Sequence, residues 1–371
     1  MTVRRTGDGL GDRARENGMV IPSPPRFSVA DIADGGLRLS LEPDGSVAVP
    51  LAVVDLTSPP SAAAVEAAIG RLAEARTPIL VGVAAPETAS AALPLAERLS
   101  FTLAETDRPQ ARPFVAVTDP EVTLATVAAT VAANTAAAMV LRDLLRLTTG
   151  LSELRDGLVA ESFAYSMLLA GPEFRRWRDG RPRRPVPVLP DEPVLVERDG
   201  NHLDVRLNRA PRRNSFSREV RDALLEALEL PALDDTVERV RLTGEGPAFC
   251  SGGDLDEFGT TTDVVLAHRV RTTQAVGLAI DRLGDRIEVV LHGACIGAGI
   301  EVPAFSRRVL ARPDVSIRLP EISMGLVPGA GGTVSLPRRI GRWRTEYLAL
   351  TGESIGLATA LQWGLVDESL S

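Results

Sequence analysis

The chain contains no lysine; all 41 of its basic residues are arginine. That absence excludes a Schiff-base lysine, a pyridoxal phosphate anchor and the lysine of a phosphate-binding P-loop. Arginine binds phosphate through its planar fork, so an anionic ligand is still admitted. Cys250 and Cys295 are the only cysteines in 371 residues, too few for a disulfide framework. A cytoplasmic location is the default expectation from that usage. Aromatic residues make up 4%, so the core has to come from Leu, Val, Ile and Ala. No run approaches the roughly 18 apolar residues of a membrane span, and residues 1–18 lack the apolar stretch of a secretory signal. The formal net charge of −8 argues against a nucleic-acid partner, which calls for a basic face. His268 and His292 have no ligand spacing and read as structural, so no metal site is expected.

Length suits roughly two domains of about 150 residues each. Residues 1–36 are polar and rich in Pro, Gly and Arg, and read as a flexible arm. Apolar runs at 47–56, 78–84 and 114–118 read as strands, with helical periodicity at 61–75 and 88–99. Pro94 weakens the second of these helices. Alanine-rich helical patterns cover 121–147 and 151–169. Residues 175–193, dense in Arg and Pro, cannot hold a regular element, and 181–193 reads as a linker. Its arginines could alternatively form an anion patch. Beyond it, 194–198 and 203–208 read as a hairpin about Asp199-Gly200. A helix follows at 217–230 with Ser217 as N-cap, then a strand at 237–243, a helix at 262–283 and a strand at 287–292. Alternating strands and helices imply an α/β fold.

The strongest chemical signal lies in 293–333. Glu301 follows the small-residue turn Ile296-Gly297-Ala298-Gly299-Ile300, and Glu321 precedes Pro328-Gly329-Ala330-Gly331-Gly332. Glycine-rich turns let a ligand approach backbone N–H groups, because no Cβ intervenes. A helix starting there aims free N–H groups and its positive end at developing negative charge. A second such turn, Ala248-Phe249-Cys250-Ser251-Gly252-Gly253-Asp254-Leu255, also lies between a predicted strand and a predicted helix. Two turns that each offer one N–H to the same oxygen form an oxyanion hole, where one donor is typically worth about 3–4 kcal/mol. Singly, each residue has a plainer reading. Glu301 is favoured near any helix start, Glu321 suits an exposed loop, Gly253 suits a turn and Asp254 suits a cap. Cys250 has no His–Asp partner pattern nearby and reads as small-residue packing.

Five segments in order resemble the crotonase family, the enoyl-CoA hydratases and isomerases. They are Leu207-Asn208-Arg209 with Asn214-Ser215; Leu242-Thr243-Gly244 with the 248–255 turn; Gly293 with Gly297-Ala298-Gly299-Ile300-Glu301; Leu319-Pro320-Glu321 with Gly325 and the 328–333 turn; and Thr351-Gly352 with Trp363-Gly364-Leu365-Val366. Together they span about 195–370. The resemblance implies a crotonase-like α/β fold, a repeated ββα spiral core with a helical trimerisation region. It implies that the N–H groups of Gly253 and Ala298 hold a thioester oxygen, and that Glu301 and Glu321 flank the acyl chain with a water between them. Arg209, Arg213, Ser215, Ala248, Ser251 and Asp254 would contact CoA. The implied reaction is hydration of a 2-enoyl-CoA by a cytoplasmic homotrimer or hexamer, with no cofactor besides the CoA thioester substrate and with no membrane or nucleic-acid partner. The alternatives are double-bond isomerisation, acyl-CoA hydrolysis, cofactor-free oxygenation of an arylacetyl-CoA, or non-catalytic acyl-CoA binding.

Departures from the family pattern bear on the pocket. Ala210 stands where a proline is usual, Pro303 and Arg307 where small or apolar residues and an aspartate are usual, and Asp285-Arg286 where Lys-Pro is usual. The family also continues beyond the position of Ser371 into helices that cap the site and build trimers. Residues 123–177 resemble that tail, and 47–118 resembles a shrunken core without glycine-rich turns. The expectation is a degenerate crotonase-like unit at 37–180 before a catalytic core at 194–371. The helices of 123–177 would close the site from within the chain or from a neighbour.

Overall fold

The structure is a computed structural model, and it describes residues 23–370 except 107, 109, 183, 184 and 186. Most of the expected arm, residues 1–22, lies outside the described residues. The chain divides into two compact units, Met1–Thr135 and Ala136–Ser371.

The first unit holds a parallel sheet in the order β1 (Arg26–Ser28), β2 (Leu51–Leu56), β3 (Ile79–Ala84), β4 (Phe101–Glu105), β5 (Phe114–Val117). Parallel sheets are covered on both faces, which is why apolar runs rather than alternation mark these strands; β3 is buried at all six positions. Helices α1 (Val29–Ala33), α2 (Ala62–Glu74) and α3 (Ala89–Ala96) accompany the sheet, and the core gathers Ile32, Leu56, Leu80, Leu95, Leu99 and Phe114. Residues 26–33 therefore form regular structure where the composition suggested an arm. Ser28 and Asp31 form a reciprocal capping box that starts α1, while 26–28 pair with 53–55 of β2. The pattern at 121–147 is two helices, α4 (Pro120–Ala133) and α5 (Thr135–Thr149). They part at Asn134, which leaves helical geometry at φ −141°; asparagine competes with the helix through its own side chain.

In the second unit α5, α6 (Leu154–Leu169) and α7 (Pro172–Asp179) precede a six-stranded sheet. Its order is β14 (Glu368–Ser369), β11 (Arg308–Ala311), β9 (Ile287–Leu291), β8 (Arg239–Gly244), β7 (His202–Leu207), β6 (Val194–Asp199). Only the β6–β7 hairpin is antiparallel, turning at Gly200 with φ 58°. A smaller sheet joins β10 (Ala294–Ile296), β12 (Ser316–Arg318) and β13 (Ile355–Gly356). Helix α8 (Arg218–Leu233) starts at Ser217, whose hydroxyl accepts the Val220 N–H at 3.2 Å, and buries Val220, Leu224 and Leu228. The stretch expected as one helix at 262–283 is α9 (Val264–Thr273) and α10 (Val276–Leu283), separated at Gln274-Ala275. Helices α11 (Ala298–Glu301), α12 (Gly332–Thr351) and α13 (Leu357–Trp363) complete the unit.

The unit boundary falls upstream of 181–193 because α5–α7 belong with the glycine-rich turns. Thr148 donates to the Thr333 carbonyl at 2.8 Å, Gly157 lies against Val334, the fully buried Phe174 ring fills the space beside Gly259, and the Glu173-Phe174 backbone abuts Gly325. Among the described residues no single helix is long and apolar enough to cross a membrane.

Candidate active site

The two glycine-rich turns lie side by side. The Cys250 N–H donates to the Ala294 carbonyl at 3.2 Å and the Ile296 N–H donates to the Cys250 carbonyl at 3.0 Å. Gly252 has φ 100°, and a Cβ there would come 3.0 Å from the Ile296 oxygen, so only glycine admits this approach. Phe216 bonds to either side of Gly253, donating to the Gly252 carbonyl at 2.7 Å and accepting from Asp254 at 3.0 Å. The Gly253 N–H is left out of that pairing. Gly297, at φ 51°, caps α11 and donates to the Arg318 carbonyl at 2.9 Å. Ala298 is the first residue of α11, so its N–H has no acceptor within the helix. Among the described residues, neither the Gly253 nor the Ala298 N–H donates to a backbone carbonyl. Both residues line a cavity of about 530 Å³.

Glu301 and Glu321 enter the same cavity. Glu301 Oε2 accepts the N–H groups of Ala330 at 2.7 Å and Gly332 at 2.9 Å. Glu321 Oε2 is buried with no hydrogen-bond partner among the described residues. The remaining oxygens converge on Gly297: a Cβ there would collide with Glu321 Oε1 and lie 3.6 Å from Glu301 Oε1. Both carboxyls are almost fully buried. Burial, then the charges of Glu321 and Glu161, push Glu301 well above the usual carboxylate range, against its two N–H donors. Burial likewise pushes Glu321 up to about 8, reinforced by Glu161 and opposed by its own N–H and by Arg318.

The predicted CoA contacts are placed unevenly. Arg209 is buried; its guanidinium donates to the Pro190 carbonyl and pairs with Glu219 at 3.3 Å. Arg213 is exposed. Its carbonyl accepts the Ser251 N–H at 2.9 Å, and Ser251 lines the cavity. Ser215 is half-buried and donates its N–H to Arg212 at 3.2 Å. Ala248 is buried, with its carbonyl accepting from Asn214 Nδ2 at 2.9 Å. Asp254 turns to the Arg212 guanidinium and accepts the Asp256 N–H at 3.0 Å, which is the cap-and-turn arrangement. Cys250 and Cys295 are buried free thiols, both pushed above the usual thiol range by burial. His292 bonds the Gly246 carbonyl at 3.0 Å, and His268 bonds Ser162 at 2.9 Å.

Sequence reasoning missed a third buried carboxylate, Glu161 on α6. Its Oε1 accepts the Gly331 N–H at 2.7 Å; its Oε2 accepts the Thr333 N–H at 2.9 Å and the Thr333 hydroxyl at 2.7 Å. Burial pushes it up to about 7 against these donors and Arg271. Tyr165, one turn further along α6, packs on Gly329 and lies under the Arg271 guanidinium, 5.2 Å from ring centre to Cζ. A signal existed: helical spacing puts Glu161 on one face with Leu158 and Tyr165, a carboxylate among apolar neighbours.

Residues 197–371 match the enoyl-CoA hydratase/isomerase family. The chain is 31% identical over 176 residues to the 2,3-dehydroadipyl-CoA hydratase of Escherichia coli K12, covering 47% of this chain and 68% of that protein. The chain belongs to the enoyl-CoA hydratase/isomerase family. Another relative, the 1,2-epoxyphenylacetyl-CoA isomerase of the same organism, is 31% identical over 188 residues, covering 48% of this chain and 71% of its own length. Among solved structures, an enoyl-CoA hydratase from Thermoplasma volcanium GSS1 is 29% identical, covers 48% of this chain and 72% of its own, and superposes with a TM-score of 0.45. As a member of this family the chain carries a crotonase-type α/β core in its C-terminal half. Glu161 lies outside the matched residues.

Proposed function

We propose that this enoyl-CoA hydratase/isomerase family member hydrates a 2-enoyl-CoA. The observation that carries the reading is the convergence of Glu301 Oε1 and Glu321 Oε1 on Gly297, next to the undonated N–H of Ala298. The N–H groups of Ala298 and Gly253 hold the thioester oxygen and stabilise the enolate that forms when the β-carbon is attacked. A water between the glutamates loses a proton to one carboxylate, and its oxygen bonds to Cβ. The other carboxyl delivers a proton to Cα, so H and OH add across the double bond. Hydrogen bonding divides the roles. Glu301, with two N–H donors that favour its carboxylate form, is the base; Glu321, with no donor on Oε2, is the proton donor to Cα. Arg213 is the exposed arginine open to CoA phosphate. A homotrimer or hexamer, and a degenerate crotonase-like ancestry for residues 37–180, belong to the same proposal.

The test is loss of enoyl-thioester absorbance on crotonyl-CoA and longer 2-enoyl-CoA esters. Absence of turnover on all of them would sink hydration.

A second reading has its own observation. In a chain with 4% aromatics, Tyr165, Trp177, Phe216 and Phe258 all line the cavity. Such walls suit an aryl-bearing acyl group whose enolate is isomerised, hydrolysed or oxygenated rather than hydrated. Turnover of phenylacetyl-CoA esters with and without oxygen, in place of enoyl-CoA turnover, distinguishes it.

A further inference from the structure

We infer that Glu161 is a positioning residue of the active site, holding the N-terminal turn of α12 in the register that aims Glu301 at Gly297. The inference rests on the acid–base reading of Glu301 given above. Four successive N–H groups are divided alternately between two carboxylates. Ala330 and Gly332 donate to Glu301; Gly331 and Thr333 donate to Glu161. The N-cap of α12 is Gly331, which has no side chain to satisfy these donors, so both caps come from elsewhere in the fold. One anion would satisfy a helix N-terminus. A second carboxylate, buried and of like charge, is unfavourable unless its place is needed.

That place is the rear of the Glu301 anchor. Thr148 accompanies Glu161, donating its hydroxyl to the Thr333 carbonyl at 2.8 Å, so Thr333 is held at both its N–H and its C=O. Ser335, one residue beyond Val334, returns a hydrogen bond to the Glu301 carbonyl at 2.8 Å. The hydrogen bonds of Thr148 and Glu161 go to this turn and not to Glu301 itself. Both oxygens of Glu161 are committed to the turn, which marks it as positioning rather than catalytic. The charged and titratable groups facing Glu161 are Arg271 of α9, Tyr165 of its own helix, Glu301 of α11 and Glu321 after β12. Its charge therefore acts on both catalytic carboxyls, in the direction that raises them.

The test compares Glu161→Gln and Glu161→Asp in the full chain, with folding checked by circular dichroism. The readout is the pH profile of kcat/KM for crotonyl-CoA hydration. If the native chain hydrates no enoyl-CoA, the readout becomes deuterium exchange at Cα of phenylacetyl-CoA, so failure of the hydration reading leaves the Glu161 test standing. Glu161→Gln removes one negative charge near two carboxyls. Glu161, itself pushed up to about 7, carries its charge only towards the upper limb, so that limb should move to lower pH, by about one unit for a charge within about 10 Å at an effective dielectric of about 20. Glu161→Asp keeps the charge but falls one methylene short of the turn. It should lower kcat about tenfold or more while leaving the limbs and KM in place. A folded Glu161→Gln whose upper limb does not move overturns the inference, as does native kcat in Glu161→Asp. If Glu161→Gln does not fold, the Glu161→Asp outcome decides alone.

Discussion

Glu301 and Glu321 face each other across a glycine that has no room for a Cβ: one added at Gly297 would strike Glu321 Oε1 and lie 3.6 Å from Glu301 Oε1. Gly297 also has φ 51° and ψ −119°, a conformation that favours glycine. Gly297→Ala should therefore lose activity through displacement of Glu321 as well as about 1–3 kcal/mol of stability through backbone strain. Urea denaturation and steady-state turnover, measured together, check both effects. A stable, fully active Gly297→Ala would contradict the proposed placement of Glu321.

Stability should fall as pH rises. Glu321 is pushed up to about 8 and Glu161 to about 7 in the folded state, whereas an unfolded glutamate titrates near 4.5. Between about pH 4.5 and 8 the folded state then binds more protons than the unfolded one, so each such group destabilises the fold by up to about 1.4 kcal/mol per pH unit. The contribution is greatest below the unfolded value and lost through the raised one. Urea midpoints across pH 5–8 should decline, and Glu321→Gln should flatten the decline. A midpoint that rises through that window would refute the buried carboxyl cluster.

Asn214 holds the first oxyanion turn from behind. It is fully buried, accepts the Arg209 N–H at 2.7 Å and donates to the carbonyls of Glu245 at 2.8 Å and Ala248 at 2.9 Å. It also occupies left-handed backbone at φ 53°. Asn214→Ala removes two buried hydrogen bonds to backbone groups and a third, part-buried one, and should cost about 2–4 kcal/mol, read as a lowered melting temperature.

The helices before the matched region should be indispensable. A chain beginning at residue 190 lacks Glu161, Tyr165 and the Phe174 side chain that fills the space beside Gly259. It should have less than about one per cent of native turnover, consistent with a misplaced catalytic carboxylate. Full activity from that fragment would show that nothing upstream completes the site.

The glycine-rich turns and their glutamates were legible because their signal is local. Positive φ at Gly252 and Gly297 and the close packing of Gly299 on the Cys250 carbonyl demand the residue type seen in the sequence. The strands were legible too, since β3 is a continuous apolar run. Glu161 was obscured by distance: its three donors lie 170 and 172 residues away, and no local pattern announces them. The pairings of Arg209 with Pro190 and Glu219, and of Asp254 with Arg212, were likewise hidden, because their partners lie outside the motifs that hold them. The break at Asn134 and the pairing of β1 with β2 were hidden for the same reason, since each depends on tertiary context rather than on propensity.

The most direct measurement is hydration of a 2-enoyl-CoA by the native chain, Glu301→Gln and Glu321→Gln, with the affinity of each for a saturated acyl-CoA determined in parallel. General acid–base catalysis typically contributes about 100- to 10,000-fold, so each variant should lose at least about 100-fold in kcat and keep native acyl-CoA affinity. Hydration that persists at native rate in either variant would contradict the assignment of the two glutamates.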